Sequence, residues 1–279
     1  MYNTVSVLGA NPVIRQLESV HLQRVVEIEI FYPSGLLGNE KLNLLLLNDG
    51  QDADGLDLKE TLNNLYEDQK IEPVVVVAIK ASADRLQEYG VAGVPDFAGR
   101  GGKAADYTRF ITSELMPFIE KEAGMPFLGK RAFAGCSLGG LTAFDIVWKN
   151  DGFFDIAGVF SGSFWWRKKD LKDGYTDNDR IMHEVIRETE NQPSVKFWLM
   201  TGTEDETADR NRNFIIDSID DTIDIIKELT KKGYKRQDDI FYYEMVGGKH
   251  NVATWLKLFH HFYAGLLPEK RFCKRRYSS

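Results

Sequence analysis

A β-strand that is apolar at every position, without alternation, needs cover on both of its faces. Two such runs stand close together here, Leu42 to Leu47 and Pro73 to Ile79. Between them Leu58, Leu62 and Leu65 recur at helical spacing and make one amphipathic helix. Central parallel strands with helices above and below satisfy this order. The alternation continues along the chain. Val26, Ile28 and Ile30 alternate with Glu27 and Glu29, the mark of a half-exposed early strand. Tyr107, Phe110, Ile111, Leu115 and Phe118 form a helical stripe ahead of Gly124, and Arg131 to Ala134 and Leu138 to Trp148 read as strand then helix. Three further strands follow at Ile156 to Phe160, Val195 to Met200 and Ile240 to Val246. Ile216, Ile219, Ile223, Ile226 and Leu229 stripe a helix that ends near Gly233, and Trp255, Leu258, Phe259 and Phe262 stripe a last helix before Pro268. The fold class expected is therefore α/β, with a mostly parallel, doubly wound sheet carrying helices on both faces. No linker or internal repeat divides it, so residues 1–279 read as one domain. The Gly- and Pro-rich stretch Lys80 to Lys103 is expected to be a long loop over one end of the sheet, and loops of that length are usually functional.

Charge and cysteine content narrow the partners. Lys and Arg number 35 against 42 Asp and Glu, a net charge of −7, which argues against a duplex nucleic-acid binder. The local exception, Lys270 to Arg276 in a basic tail at about 269–279, reads as a solvated tail. Cys136 and Cys273 are too few for a disulfide framework. The chain reaches Glu18 without an apolar signal region, and no 18-residue apolar window exists, so no membrane partner and a cytoplasmic location are expected. A small molecule is the expected partner, and assembly as a homo-oligomer is compatible with this composition.

The chemistry concentrates in Gly135-Cys136-Ser137-Leu138-Gly139-Gly140, which follows an expected strand and opens an expected helix. A serine on such a strand-to-helix turn is a nucleophile elbow: glycines flank it because side chains there would clash, and the helix N-terminus points at the developing oxyanion. The hydroxyl needs a base. Among His21, His183, His250, His260 and His261, only His250 lies in a glycine-rich segment between the last strand and the last helix, where the order Ser, acid, His puts the base. The acid belongs on the loop after the strand ending at Met200, and Glu204, Asp205 and Glu206 compete there. Asp205 is favoured because a Gly-x-x-Asp turn lets a short side chain reach back to the imidazole; part of the cluster could instead cap a helix starting near Asp209. The oxyanion hole would pair the Leu138 amide with that of Gln51, after Asp49-Gly50, unless that loop is only an Asx-type turn. Cys136 is expected to face the core.

These motifs together resemble the Putative esterase family, which includes esterase D, enterochelin esterases, feruloyl and acetylxylan esterases and the mycolyltransferase antigens. The resemblance is carried by Asp49-Gly50, Gly99 to Lys103 ahead of Glu114-Leu115-Met116-Pro117-Phe118-Ile119, and the Gly135 to Gly140 elbow. Ser161-Gly162-Ser163-Phe164-Trp165-Trp166, Gly202 to Asp205 and His250 complete it, from about Asp49 to Trp255. It implies an α/β-hydrolase fold and a Ser137–His250–Asp205 triad, and the Ser-x-Ser-x-Trp-Trp segment is similar to the enterochelin-esterase branch. Three acids stand in the acid loop where the family pattern has one.

Rival motifs fail. A P-loop reading of Gly99 to Lys103 meets Phe97 where a glycine is required and Ala104 where Ser or Thr is required. Asp52-x-Asp54-Gly55 lacks the end ligands of a calcium loop, and no metal-binding His-Glu-x-x-His or Cys-x-x-Cys exists, so no metal or other cofactor is implied. The expected activity is that of a serine hydrolase cleaving a carboxylic ester through an acyl-enzyme. An acyltransferase on the same triad, or a non-catalytic binding module on the same fold, is the alternative. Trp165 and Trp166, with Ser163 and a cationic margin of Arg100, Arg167, Lys168 and Lys169, are expected to wall the substrate site; the alternative is that the indoles only cover the sheet end.

Overall fold

The computed structural model describes residues 9–36 and 41–266. Both continuous apolar runs are strands with every residue buried, Asn43–Asn48 and Val74–Ile79. In chain order the strands are β1 (Gly9–Ser19), β2 (Arg24–Ser34), β3 (Asn43–Asn48), β4 (Val74–Ile79), β5 (Arg131–Cys136), β6 (Ile156–Phe160), β7 (Lys196–Glu204) and β8 (Ile240–Lys249). They form one eight-stranded sheet in the order β1-β2-β4-β3-β5-β6-β7-β8. β1 and β2 are an antiparallel hairpin, β2 runs antiparallel to β4, and every later pairing is parallel. This arrangement is the α/β-hydrolase fold.

The helices are α1 (Leu58–Glu67), α2 (Arg85–Glu88), α3 (Ala104–Arg109), α4 (Met116–Ala123), α5 (Leu138–Lys149), α6 (Ile181–Glu188), α7 (Asp217–Lys231) and α8 (Val252–Leu266). α3 and α4 are joined by a π-helical turn, Phe110–Leu115, just ahead of Pro117, whose missing N–H interrupts the regular ladder. The core has two layers. One face of the sheet packs Tyr107, Phe110, Leu141, Phe144, Ile181 and Ile225. The other packs Leu58, Leu62, Trp255, Phe259 and Phe262 from α1 and α8.

Several expectations shift. β1 has no counterpart in the sequence reading, because an edge strand with alternate residues in water keeps few apolar positions. α7 begins at Asp217 and not near Asp209, whose carboxylate accepts the N–H groups of Asn213 and Phe214 in the loop before it. β7 and β8 both run beyond their expected ends, through a register shift between Gly202 and Glu204. Gly202 makes this possible, since a Cβ there would sit 2.3 Å from the Gly248 carbonyl oxygen. The segment Gly247-Gly248-Lys249 is thus strand, and His250 follows its last residue directly. The basic tail, Cys273 and Pro268 lie outside the described residues. No helix among those residues is long and apolar enough to cross a membrane.

Candidate active site

Ser137 stands between β5 and α5 with φ 55° and ψ −125°, a conformation that L-residues rarely adopt. The surroundings hold it there. Its N–H donates to the Phe160 carbonyl at 2.8 Å, and its own carbonyl accepts from Gly140, Ser163 and Leu141 at 3.0, 3.1 and 3.2 Å. The elbow glycines are steric necessities: a Cβ on Gly135 would lie 2.4 Å from the Gly139 carbonyl oxygen, and one on Gly139 would lie 2.5 Å from Asp49 Oδ2. Cys136 faces the α1/α8 layer, and burial pushes its thiol well above the ordinary cysteine range.

His250 brings its Nε2 to 2.9 Å from Ser137 Oγ, and its Nδ1 faces Asp205 Oδ1 at 3.9 Å. Asp205 is buried and held by the Gly202 N–H at 3.1 Å and the Ser161 hydroxyl at 3.0 Å. Burial pulls the imidazole below the usual histidine range; Asp205 opposes that shift and Arg85 adds to it. The neighbouring acids turn elsewhere. Glu204 is exposed, with Lys249 at 3.9 Å. Glu206 accepts the Ser218 backbone N–H, and burial raises its carboxyl above the ordinary value. The other histidines are remote: His21 lies in the β1–β2 turn beside Ser113, His183 is buried against Phe164, and His260 and His261 are exposed on α8.

The loop after β3 is fastened to the elbow. Asn48 Nδ2 donates to the Gly139 carbonyl at 2.8 Å, and Tyr107 donates to Asn48 Oδ1 at 2.6 Å. Asp49, at φ 60°, takes a two-pronged ion pair from Arg85 at 2.6 and 2.8 Å. Gly50 is pressed against the Ala78 backbone, where a Cβ would lie 2.6 Å away. The Gln51 side chain bridges Asp49 and the Ala81 N–H. Among the described residues the backbone amides of Leu138 and Gln51 donate to no protein acceptor. The sequence offered no signal for Arg85, which sits 36 positions from Asp49 in the long loop.

A family profile described as Putative esterase matches residues 19–265. The chain belongs to that family. No curated protein matches it in sequence. Among solved structures, the enterobactin esterase of Shigella flexneri, crystallised with enterobactin, is similar with a TM-score of 0.70 at 21% identity. That match covers 92% of this chain and 58% of the other, so this chain spans little more than half of that enzyme's length. An IroE-like serine hydrolase from Shewanella oneidensis matches with a TM-score of 0.66 at 20% identity, over 91% and 80% of the two chains. The BES protein of Bacillus cereus gives 0.67 at 18%, over 93% and 95%. At these identities the likeness is one of fold.

In this esterase-family chain a cleft of about 320 Å³ opens over Ser137, lined also by Ser163, Trp165, Asp205, Glu206 and His250. Ser163 Oγ lies 3.5 Å from Ser137 Oγ, and Trp165 forms part of the wall. Trp166 does not. It is fully buried, its ring against Gly90 and Gly101, where a Cβ would meet it at 2.9 and 3.0 Å. The expectation that both indoles wall the site is corrected on this point: the rings lie side by side, centroids 5.7 Å apart, but the Gly90 and Gly101 backbone covers Trp166. Arg100 is also outside the lining: it is forked onto buried Asp96, and its guanidinium lies against the Trp165 and Trp166 rings at 5.1 and 5.2 Å. Lys168 and Lys169 are paired with Glu184 and Asp179. Of the expected cationic margin, Arg167 alone has no carboxylate partner among the described residues, and its guanidinium lies over Phe97 at 4.8 Å and beside Trp165 at 6.0 Å. A larger cavity of about 640 Å³ opens at the opposite end of the strands, near Asn43, Lys130 and Lys196, and holds no nucleophile–base pair. Among the described residues no cluster of His, Cys, Asp or Glu is arranged to hold a metal ion.

Proposed function

We propose that this chain hydrolyses carboxylic esters through a covalent acyl-enzyme, its described residues acting as one domain. The observation that carries the reading is the 2.9 Å contact between His250 Nε2 and Ser137 Oγ at a strained elbow, with Asp205 facing the other ring nitrogen. Ser137 attacks the ester carbonyl while His250 takes its proton, and Asp205 stabilises the imidazolium and fixes the tautomer. The unpaired amides of Leu138 and Gln51 receive the oxyanion, with Gly50 allowing the close approach and Asp49–Arg85 holding the loop. His250 then returns the proton to the departing alcohol. A water, deprotonated by the same imidazole, releases the acid. No cofactor enters this sequence, and its site is cytoplasmic in the reading proposed.

Substrate character follows from the cleft wall. Trp165 offers a flat apolar face beside the nucleophile, with Ser163 as a nearby hydroxyl. Arg167, a guanidinium with no carboxylate partner among the described residues, adds a positive margin next to that indole. These features suit an ester with an aromatic, acidic group, and the enterobactin esterase that the fold matches was crystallised with enterobactin. Labelling with a fluorophosphonate tests the nucleophile: the native chain reacts and Ser137→Ala does not. A panel of aryl and short aliphatic p-nitrophenyl esters, run with and without an added alcohol, then reads substrate class and acceptor. Labelling of the Ser137→Ala variant at the native rate would overturn the mechanism.

A further inference from the structure

One carboxylate oxygen in this site has two partners. Asp205 Oδ1 lies 3.9 Å from His250 Nδ1 and accepts a hydrogen bond from the Ser161 hydroxyl at 3.0 Å. That hydroxyl has little freedom. The Trp255 indole N–H donates to its oxygen at 3.0 Å. Its single proton has two acceptors in reach, Asp205 Oδ1 and Met200 Sδ at 3.6 Å, and an ionised carboxylate is much the stronger. The backbone is fixed as well: Ser161 is buried at φ 50°, and its N–H donates to the Met200 carbonyl at 2.9 Å. Trp255 also stands edge-on to the His250 ring, with centroids 5.3 Å apart. A single indole therefore touches the base directly and the acid through Ser161.

We propose that Ser161, held by Trp255, is a positioning residue that keeps the Asp205 carboxylate at its present distance from His250 and so sets the pH at which the imidazole is free to act as a base. The proposal rests on the Ser137–His250–Asp205 reading. The Ser161 hydrogen bond spreads the charge of Oδ1 and limits how closely it approaches Nδ1, 3.9 Å away in this structure. Two charged groups act on His250, Asp205 from the end of β7 and Arg85 from α2, with Glu206 further along the cleft wall. Asp205 favours the protonated ring, while Arg85 and burial oppose it. Freed from Ser161, the carboxylate can close on Nδ1 and strengthen the one influence that keeps the ring charged.

The pH dependence of kcat/KM for p-nitrophenyl acetate tests this. In S161A the acidic limb is expected to move to higher pH by about half a unit, which below the limb is a roughly threefold loss, with little change on the plateau. W255F retains a ring against His250 but deletes the N–H, so its limb moves the same way by less. The double variant moves no further than S161A, because Trp255 acts through Ser161. A limb in S161A that stays in place or moves to lower pH overturns the proposal. Should S161A fail to fold, W255F decides on the same criterion. His250→Gln separates the two levels: if it keeps activity with an unchanged limb, the triad reading has failed and the role of Ser161 with it.

Discussion

Replacing Asp205 with asparagine removes one charge from a site that leaves little room for adjustment. The carboxylate accepts from the Gly202 N–H at 3.1 Å and the Ser161 hydroxyl at 3.0 Å, and the side chain is almost wholly buried. An amide must place its NH2 on one side or the other. Against Gly202 it meets another donor. Toward Ser161 and His250 it asks Nδ1 to accept, which puts the ring proton on Nε2, facing Ser137, where it cannot take the serine proton. The charge loss adds to this. Two unit charges at 3.9 Å interact by about 4 kcal/mol at an effective dielectric of 20. The imidazole side chain is 39% exposed, so solvent trims this to roughly 2–3 kcal/mol, a factor of about 30–150 in rate. With the wrong tautomer included, kcat/KM on p-nitrophenyl acetate is expected to fall by at least ~100-fold. Glu204→Gln and Glu206→Gln should stay within about threefold of native, since neither carboxylate reaches His250. Thermal unfolding followed by circular dichroism checks that each variant is folded. A folded Asp205→Asn enzyme within tenfold of native, or a crippled Glu204→Gln, refutes the assignment.

Other outcomes follow from the same geometry. Ser137→Gly abolishes fluorophosphonate labelling yet raises the melting temperature, because relieving a strained φ of 55° returns about 1–3 kcal/mol; an unchanged or lower Tm contradicts the strain. Trp166→Ala costs about 3–5 kcal/mol by leaving a cavity and lowers turnover of aryl and aliphatic esters alike. Trp165→Ala, at the cleft wall, spares stability and selectively slows aryl esters, and equal loss on both classes counts against an aromatic subsite. The acidic limb of kcat/KM should lie below the ordinary histidine value of 6.5, because burial and Arg85 lower the imidazole and the base must be neutral to work. A limb above that value shows that another group controls the rate.

The parts of this molecule that a sequence exposes are those whose causes are local. Continuous apolar runs announce β3 and β4, and the glycines around Ser137 announce the elbow, because neighbours along the chain enforce both. His250 is legible from its place between the last strand and helix. The choice among Glu204, Asp205 and Glu206 is not, since it depends on where β7 stops and on the bulge at Gly202. Trp165 and Trp166 illustrate the same limit: adjacent and chemically identical, they separate into wall and core only once the loop carrying Gly90 and Gly101 is laid against one of them. Arg85 reaches Asp49 across 36 positions and Trp255 reaches Ser161 across 94, and no window along the chain spans such distances.

The common direction of β3 to β8 has an electrical consequence. Helices that follow parallel strands begin at the same edge of the sheet, so α5 and α8 both open beside Ser137 and His250. Each helix start is worth roughly half a positive charge over its first turn. In a molecule of net charge −7, two helix starts thus open beside a cleft that also carries the Asp205 and Glu206 carboxylates. In the hydrolysis proposed above, the field that would steady the transient oxyanion acts equally on the carboxylate left afterwards. Catalytic help and reluctance to release the acid product come from one source, and dissolved salt, by screening it, loosens both together.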